Sequence, residues 1–449
     1  MSLTDTRREL MSPDRETRRR ALETMRQACI DDRVTCKAPG DRVNMHCHTF
    51  YSYNGYGHSP TSLVWLAREE GWRALATVDF DVLDAVDETL EAGDRVGVRT
   101  ASGLESRVFL SEFSTREINS PGEPGVLYHI GMGFVPQPAP AAAAEVLADM
   151  RRRAAERNRD MVARVNAYLD PVTVDYDRDV LPLTPRSNAT ERHILIAYDR
   201  AARERYPRRA DLVAFWARVL AMDPATVDGF LGDEPFPHDA IRSRLMKAGG
   251  PGYVQPGPDT FPPIDEVNAM IVACGAVPVW AWLDGLSEGE QAAEELADLQ
   301  IARGAGAICI IPDRNWNIAD PAERERKVRE LYRVVDLARD RHLPVIVGTE
   351  MNKAGQPIVD DFDAEPLRPL RDEFVRGADF IYGHTVMQRA LGRGYQSEWA
   401  RQHLPERRER NALYIAVGQA VEPGAEGLAR VAALENVSDP DDLLARLKD

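Results

Sequence analysis

The segment VNMHCHTF, residues 43–50, places two histidines two positions apart in a run that otherwise reads as a short apolar strand. Side chains of a strand alternate between its two faces, so His46 and His48 point the same way and Cys47 points the other way. One rigid strand can therefore present two imidazoles to a single cation. Short HxH motifs also occur in strands that bind no metal, so the rest of the chain must decide between two ligands and two structural histidines.

From residue 43 onward, short apolar runs alternate with helical stretches, which is typical of βα units around a parallel sheet or barrel. We therefore predict an α/β fold. The predicted strands span residues 43–48, 73–80, 98–105, 126–134, 276–283, 307–312, 344–349 and 379–383. The predicted helices between them span residues 60–70, 82–92, 263–274, 289–302 and 321–341.

Three regions lie outside this alternation. Residues 1–40 predict an N-terminal helical extension, and the barrel domain is expected over residues 41–449. Within that domain the regularity breaks between about 137 and 260, which we interpret as a helical insertion. Further helices are expected at about 396–449.

The composition restricts the class of partner. Acidic residues outnumber basic ones by 72 to 56, a formal net charge of −16, which would repel nucleic acids and anionic membranes. We therefore expect a small-molecule substrate. The chain has no apolar run of about 18 residues and no signal peptide, and its five cysteines form no CxxC pair, so we expect a cytoplasmic protein with reduced thiols. Cys47 is the only cysteine near the suspected site.

Polar residues follow almost every predicted strand. The active site of a parallel barrel lies at the carboxyl ends of its strands, so polar residues there indicate function. Neutral imidazoles suit zinc, manganese or iron, and a carboxylate offsets the cation charge. Three residues at other strand ends, Glu105, His129 and Glu350, favour a metal site over structural histidines. The polar residues at strand ends are His46, His48, Asp79, Glu105, His129, Asp284, Asp313, Arg314, Asn315, Glu350, Asn352 and His384.

These motifs, taken in order, resemble those of the PHP (polymerase and histidinol phosphatase) superfamily of metal-dependent phosphoesterases. The resemblance runs through NMHCHTFYSYNG, ALATVDFD, ASGLES, YHIGMG, TERHILIAY and LPVIVGTEMN, and spans about residues 43–352. It implies a distorted TIM-like (β/α)7–8 barrel of the PHP type that holds two or three metal ions.

The resemblance also implies a set of ligands. The first metal would take His46, His48, Glu105 and Glu350, where Glu350 stands in place of the usual aspartate. A second metal would share Glu105 and add His129 and His193, although His193 is alternatively a helix-surface histidine. The positions that hold a third metal in the family carry Asn54, Phe80 and Asn352 here. We therefore expect two divalent metal ions, of zinc, manganese or iron.

Other strand-end residues are predicted to face the substrate. The planar, permanently charged guanidinium of Arg314 suits a phosphate or carboxylate, although a salt bridge to Asp313 or Asp284 explains it equally well. His384 is a candidate general acid, a replacement metal ligand or a buried structural histidine. Asp79 is a further candidate catalytic residue. The predicted substrate-binding residues are Arg314, Asn315, Asp284 and Asn352.

The function that these predictions favour is metal-dependent hydrolysis. In the leading hypothesis a metal-bound hydroxide at a dinuclear centre attacks a phosphoester of a small anionic substrate. A second hypothesis is a catalytically silent PHP-like barrel that binds a ligand or a protein. A third keeps the metals but hydrolyses an amide or a lactone, since a metal-bound hydroxide is not selective for phosphorus.

Overall fold

Seven strands form one sheet whose order follows the sequence from β1 to β7 in the computed structural model, which describes residues 2–448. Neighbouring strands are parallel except β4, which is antiparallel to both β3 and β5. Nearly every residue of these strands is buried, which explains their continuous apolar runs. The strands are β1 Val43–Cys47, β2 Ala74–Phe80, β3 Arg99–Phe109, β4 Val126–Met132, β5 Val277–Trp282, β6 Ala307–Ile310 and β7 Val345–Val347.

The two edges of the sheet meet immediately after β1 and β7. Cys47 forms a parallel bridge with Glu350. The Glu350 N–H donates to the carbonyl of His46 at 2.8 Å, and the His48 N–H donates to the carbonyl of Glu350 at 2.7 Å. The sheet therefore closes into a nearly complete barrel of seven strands, which confirms the predicted distorted TIM-like α/β fold.

Nineteen helices lie within the described residues. Helix α3 shows how the sequence sets their bounds: the Ser59 hydroxyl caps its first turn, Pro60 occupies its first position, and Gly71 ends it in the left-handed conformation at φ +67°. The helices are α1 Leu3–Glu9, α2 Arg15–Ile30, α3 Pro60–Glu70, α4 Val86–Val96, α5 Ala141–Leu169, α6 Glu191–Arg205, α7 Arg209–Leu220, α8 Pro224–Phe230, α9 Asp239–Met246, α10 Ile264–Ala273, α11 Glu288–Gln291, α12 Ala293–Ala302, α13 Asp313–Trp316, α14 Pro321–Asp340, α15 Arg371–Leu391, α16 Glu398–His403, α17 Arg407–Ala420, α18 Ala425–Ala432 and α19 Pro440–Lys448. Single turns of 3-10 or π helix lie at Ser111–Phe113, Tyr176–Val180, Leu181–Leu183 and Arg368–Leu370.

The reversed direction of β4 differs from the predicted all-parallel sheet. Parallel neighbours need a long crossover, which is usually an α-helix. The connection between β3 and β4, residues 110–125, contains only one 3-10 turn. The chain therefore returns beside β3 in the opposite direction.

The eighth predicted strand, residues 379–383, is wrong, because these residues lie inside helix α15. Two glycines of this helix pack directly against backbone. A Cβ at Gly377 would collide with the carbonyl of Val345, and one at Gly383 with the carbonyl of Tyr414. These residues are glycines because helix α15 packs closely on β7 and α17, and they do not mark the end of a strand.

The chain divides into two compact units. The first contains residues 1–50, 54–147 and 261–449, and includes the whole barrel. The second contains residues 51–53 and 148–260. Its helices pack around a buried apolar cluster that includes Tyr198 and Trp216. Within residues 2–448, no helix combines the length and the apolar composition that crossing a bilayer requires.

Candidate metal centre

Two strands bring three buried ligand side chains together inside the barrel. His46 lies on β1, His48 follows β1 directly, and Glu105 lies on β3. The Oε2 atom of Glu105 is 3.4 Å from Nε2 of His46 and 3.2 Å from Nε2 of His48. One ligand atom from each residue lies within 4.8 Å of the other two. The three residues are 2%, 0% and 4% exposed, so this cluster, which we name the His–His–Glu site, is shielded from bulk water.

Hydrogen bonds and close packing fix the two histidines. The Oδ1 atom of Asn44 accepts from the backbone N–H groups of His46 at 3.3 Å and of Thr349 at 3.2 Å. The ring of Phe80 stacks on His48 with 4.3 Å between centroids. The register of β2 and β3 pairs Phe80 with Glu105, so both side chains lie on the same face of the sheet. The site is therefore built on rigid strands rather than on loops.

The charges within the site favour a cation. Burial would lower the pKa of His46 and raise that of Glu105, because it disfavours both charged forms. Their mutual attraction prevails: the pKa of His46 rises well above its usual value, and the pKa of Glu105 falls to about 2. The carboxylate of Glu105 is therefore stabilised only with a positive charge beside it, which a proton or a metal ion can supply.

The donor set fits a divalent transition metal. Two imidazole nitrogens and one carboxylate oxygen are ligands that zinc takes in catalytic sites, where a fourth position stays open. The Nε2 atom of His46 and the Oε2 atom of Glu105 are buried, and their 3.4 Å contact lacks hydrogen-bond geometry. Buried polar atoms of this kind are usually satisfied, and a shared cation would satisfy both. The three residues thus form a candidate metal site.

Glu350 lies next to this site but pairs with an arginine. Its backbone closes the barrel in the left-handed conformation at φ +60°. Its Oε2 accepts from Nη2 of Arg314 at 2.6 Å, from Gln356 at 3.3 Å and from Asn352 at 3.4 Å. Burial would raise the pKa of Glu350, but the charge of Arg314 lowers it. The salt bridge of Arg314 is thus to Glu350, rather than to Asp313 or Asp284.

His129 lies on the opposite face of the sheet from Glu105. The antiparallel register of β3 and β4 pairs Glu105 with Ile130 and Ser106 with His129. The Nε2 atom of His129 is 2.5 Å from Oδ1 of Asn268 on helix α10, and burial lowers the pKa of this histidine to about 4. The structure therefore does not bring His129 to the His–His–Glu site, because the register of β4 places this residue on the face of Ser106.

His193 belongs to the second unit, where it lies in the first turn of helix α6. Its Nδ1 accepts from the backbone N–H of Thr190 at 3.1 Å and completes a capping box with that residue. Its ring packs edge-on against Tyr53 with 5.3 Å between centroids. Burial lowers its pKa to about 4. It is a buried helix-capping histidine and is not exposed on the helix surface.

His384 makes two hydrogen bonds deep inside helix α15. Its Nε2 donates to the carbonyl of Gly133 at 3.2 Å, and its Nδ1 accepts from the backbone N–H of Tyr395 at 2.9 Å. Burial lowers its pKa to about 4, so the ring is neutral near pH 7. Both ring nitrogens are occupied, which matches the third of the predicted roles, a buried structural histidine.

The remaining predicted residues hold backbone in place around the strand ends. Asp79 accepts from the backbone N–H of Thr49 at 2.8 Å and from its hydroxyl at 2.7 Å, which fixes the chain after His48. Asn315 donates to the carbonyls of Leu283 at 3.1 Å and Ile311 at 3.2 Å. The Oδ1 atom of Asp284 accepts from the backbone N–H of Leu286 at 3.1 Å, and its Oδ2 lies 3.4 Å from Nζ of Lys327.

Sequence reasoning missed Cys309, which is the cysteine that faces the site. Its Sγ is 3.5 Å from Nδ1 of His46. Cys47 instead belongs to an apolar cluster with residues of helices α2 and α3, as the strand alternation predicted. The signal for Cys309 was available only in the pairing of strands far apart in the sequence.

Comparisons with known proteins identify relatives only at the level of solved structures. No family model matches the chain, and no curated protein matches it. The chain is similar to a candidate metal-dependent phosphoesterase from Bifidobacterium adolescentis, with 22% identity and a TM-score of 0.46 over 75% of this chain and 98% of that chain. It is also similar to an amidohydrolase from Chromobacterium violaceum, solved with sulfate and without metal, with 18% identity and a TM-score of 0.48 over 75% and 96% of the two chains. The resemblance to the PHP superfamily stays a prediction.

Proposed function

We propose that the chain is a metal-dependent hydrolase in which the His–His–Glu site holds one divalent transition-metal ion and Arg314 binds the anionic group of a small substrate. The observation that supports this most directly is the burial of three ligand side chains whose ligand atoms lie within 4.8 Å of one another. The proposed first class of substrate is a phosphoester.

The proposal assigns one ion where the sequence predicted two. The two further predicted ligands of a second ion, His129 and His193, make hydrogen bonds to Asn268 and Thr190. The carboxylate of Glu350 is already balanced by a guanidinium. A second ion would therefore have to compete with Arg314 for Glu350.

Arg314 is suited to hold an anion beside the buried ligands. Its side chain is 41% exposed, and its charge interacts with both Glu350 and Glu105. A guanidinium has five N–H donors. Within residues 2–448, the Arg314 side chain makes one hydrogen bond, to Glu350. The remaining donors are available to phosphate or carboxylate oxygens. Glu350 fixes the orientation of the fork in advance, which reduces the entropy lost on binding.

A divalent ion bound at such a site activates water and neutralises charge that develops on the substrate. The side chains of this chain have separate roles. His46 and His48 bind as neutral imidazoles, so each must be free of a proton on the ligating nitrogen. Glu105 supplies the negative charge that favours a cation. Arg314 orients the substrate through its anionic group.

The test begins with metal content. Chelator-treated protein is titrated with Zn²⁺, Mn²⁺ and Fe²⁺, and we expect one equivalent to bind. Glu105→Gln and His46→Ala should each abolish tight binding, whereas His403→Ala, which removes an exposed histidine of helix α16, should not. Failure of the wild-type protein to bind any of the three metals would overturn the proposal, and two equivalents would restore the dinuclear hypothesis.

Activity is then measured on a panel of small phosphomonoesters and phosphodiesters, followed by amides and lactones. Metal-dependent phosphoester hydrolysis that is lost in Glu105→Gln supports the proposal. Turnover of amides or lactones alone would replace its substrate class. Metal binding without turnover of any class would favour the catalytically silent barrel.

A further inference from the structure

Cys309 lies on the inner face of β6, beside the ring of His46. The strand pairs with Ala281 on one side and Ile346 on the other, so its backbone is held from both directions. The thiol is buried, and its Sγ is 3.5 Å from Nδ1 of His46. The opposite nitrogen of the same ring, Nε2, points toward Glu105. The imidazole thus lies between the carboxylate and the thiol.

The proton position on His46 decides whether it can bind a metal. A neutral imidazole carries one N–H and one lone pair. Coordination through Nε2 therefore requires the proton to be on Nδ1, where it needs a hydrogen-bond acceptor. Metal-binding histidines usually donate this N–H to a carboxylate or a backbone carbonyl, and this second partner supports metal affinity.

We propose that Cys309 is the positioning residue for His46: its sulfur accepts the Nδ1–H hydrogen bond that leaves Nε2 free to bind the metal ion. This inference rests on the proposed function. Within residues 2–448, the ring of His46 makes one hydrogen bond, between its Nδ1 and this sulfur.

A thiol differs from a carboxylate in one important respect. It is both a weak acceptor and a weak donor, so it can partner either tautomer of the ring. Without metal, Nε2 of His46 faces Glu105 and Nδ1 faces the sulfur. With metal, the proton lies on Nδ1 and the sulfur accepts. Cys309 is therefore the partner of Nδ1 of His46 in both states.

The experiment measures Zn²⁺ affinity by competition with a chromogenic chelator in the full-length protein. Cys309→Val keeps nearly the same volume but removes the acceptor, and Cys309→Ala removes both. We expect both variants to bind Zn²⁺ about 10- to 100-fold more weakly than the wild type. Cys47→Val is the matched control, because this buried thiol follows His46 in the sequence but belongs to the apolar cluster on the other face. Its Zn²⁺ affinity should be unchanged.

A spectroscopic measurement separates this role from packing. In the Zn²⁺-loaded wild type, ¹⁵N-resolved NMR should show a slowly exchanging Nδ1–H of His46, which Cys309→Val should shift or lose. A cooperative unfolding transition of metal-free Cys309→Val shows that the variant is folded. If Cys309→Val restores the affinity that Cys309→Ala loses, or if Cys47→Val weakens binding equally, the role is packing and the inference is overturned. If the wild type binds no Zn²⁺, Mn²⁺ or Fe²⁺, the proposed function fails, and the inference fails with it.

Discussion

Gly348 directly follows β7 and lies against His46 of β1, where the barrel closes. The substitution Gly348→Ala tests whether this closure positions His46. A Cβ at this residue would lie 2.5 Å from the Cβ of His46 and 2.7 Å from Oδ1 of Asn44. Non-bonded carbon atoms prefer roughly 3.5 to 4.0 Å. The added methyl therefore forces the two segments apart by about 1 Å, because His46 is held on a strand and cannot simply rotate away.

The same displacement predicts two magnitudes. Overpacking a buried position usually costs about 1 to 3 kcal/mol, so the free energy of unfolding should fall by that amount. A metal site tolerates a displacement of only about 0.5 Å, so a shift of about twice this size should weaken Zn²⁺ binding by about tenfold or more. The loss of affinity should persist under conditions where the variant is fully folded.

The assay combines urea unfolding of the metal-free protein with Zn²⁺ competition titration. Gly229→Ala is the control, because a Cβ at this residue of helix α8 would meet no atom within 4 Å. This control should gain up to about 1 kcal/mol of stability from helix propensity and bind Zn²⁺ normally. Wild-type stability and wild-type Zn²⁺ affinity in Gly348→Ala would refute the idea that this close approach fixes the position of His46.

Three further predictions concern the proposed anion-binding residue Arg314, the buried His384 and the N-terminal helices. Arg314→Lys should raise KM for an anionic substrate about tenfold, because the planar fork is lost, while Zn²⁺ affinity stays unchanged; steady-state kinetics and the Zn²⁺ titration check this. Burial lowers the pKa of His384 to about 4 in the folded protein. As the pH falls, this histidine is therefore protonated in the unfolded chain before it is protonated in the folded one. The free energy of unfolding should fall by about 3 kcal/mol between about pH 6.5 and pH 4. A pH series of urea unfolding measures this loss, and the loss should be smaller in His384→Gln. Arg18→Ala should cost about 3 to 5 kcal/mol because it leaves the carboxylate of Glu88 buried beside it without its ion pair, whereas Arg18→Ala with Glu88→Gln should recover part of the loss in the same assay.

The barrel was readable from the sequence because its strands are buried on both faces. Such strands appear as short, continuous apolar runs, and seven of the predicted runs correspond to β1 through β7. Helix α3 was readable for a different reason, since a serine cap, a proline and a terminal glycine mark its bounds. Both signals are local. They require no knowledge of which residues meet in space.

Residues 379–383 show where local signals fail. A short apolar run flanked by glycine fits a buried strand and a buried helix equally well. Gly377 and Gly383 are explained by the backbone carbonyls that they approach, and these carbonyls come from elements 32 and 31 residues away in the sequence. Such contacts are invisible to a pattern of neighbouring residues.

The register of β4 against β3 had the largest consequence for the site. Strand alternation alone placed His46 and His48 on one face, and Glu105 was placed near them by its position at the end of another strand. His129 required the direction and register of its own strand, because a shift of one residue moves a side chain to the opposite face. The missing helix between residues 109 and 126 was the available signal, since it indicates a direct antiparallel return.

Charge connects the proposed single ion with the proposed role of Arg314. With neutral imidazoles, the His–His–Glu site carries one negative charge, which one divalent ion changes to one positive charge. Glu350 and Arg314 together are neutral. A second divalent ion at Glu350 would lie next to both the first ion and the guanidinium, and like charges repel strongly in a buried site. Either Arg314 stays paired with Glu350 and one ion binds, or a second ion displaces Arg314 and the proposed anion-binding group is lost. The metal stoichiometry and the KM of Arg314→Lys are therefore two independent tests of one arrangement, in which a single ion binds and Arg314 stays paired with Glu350.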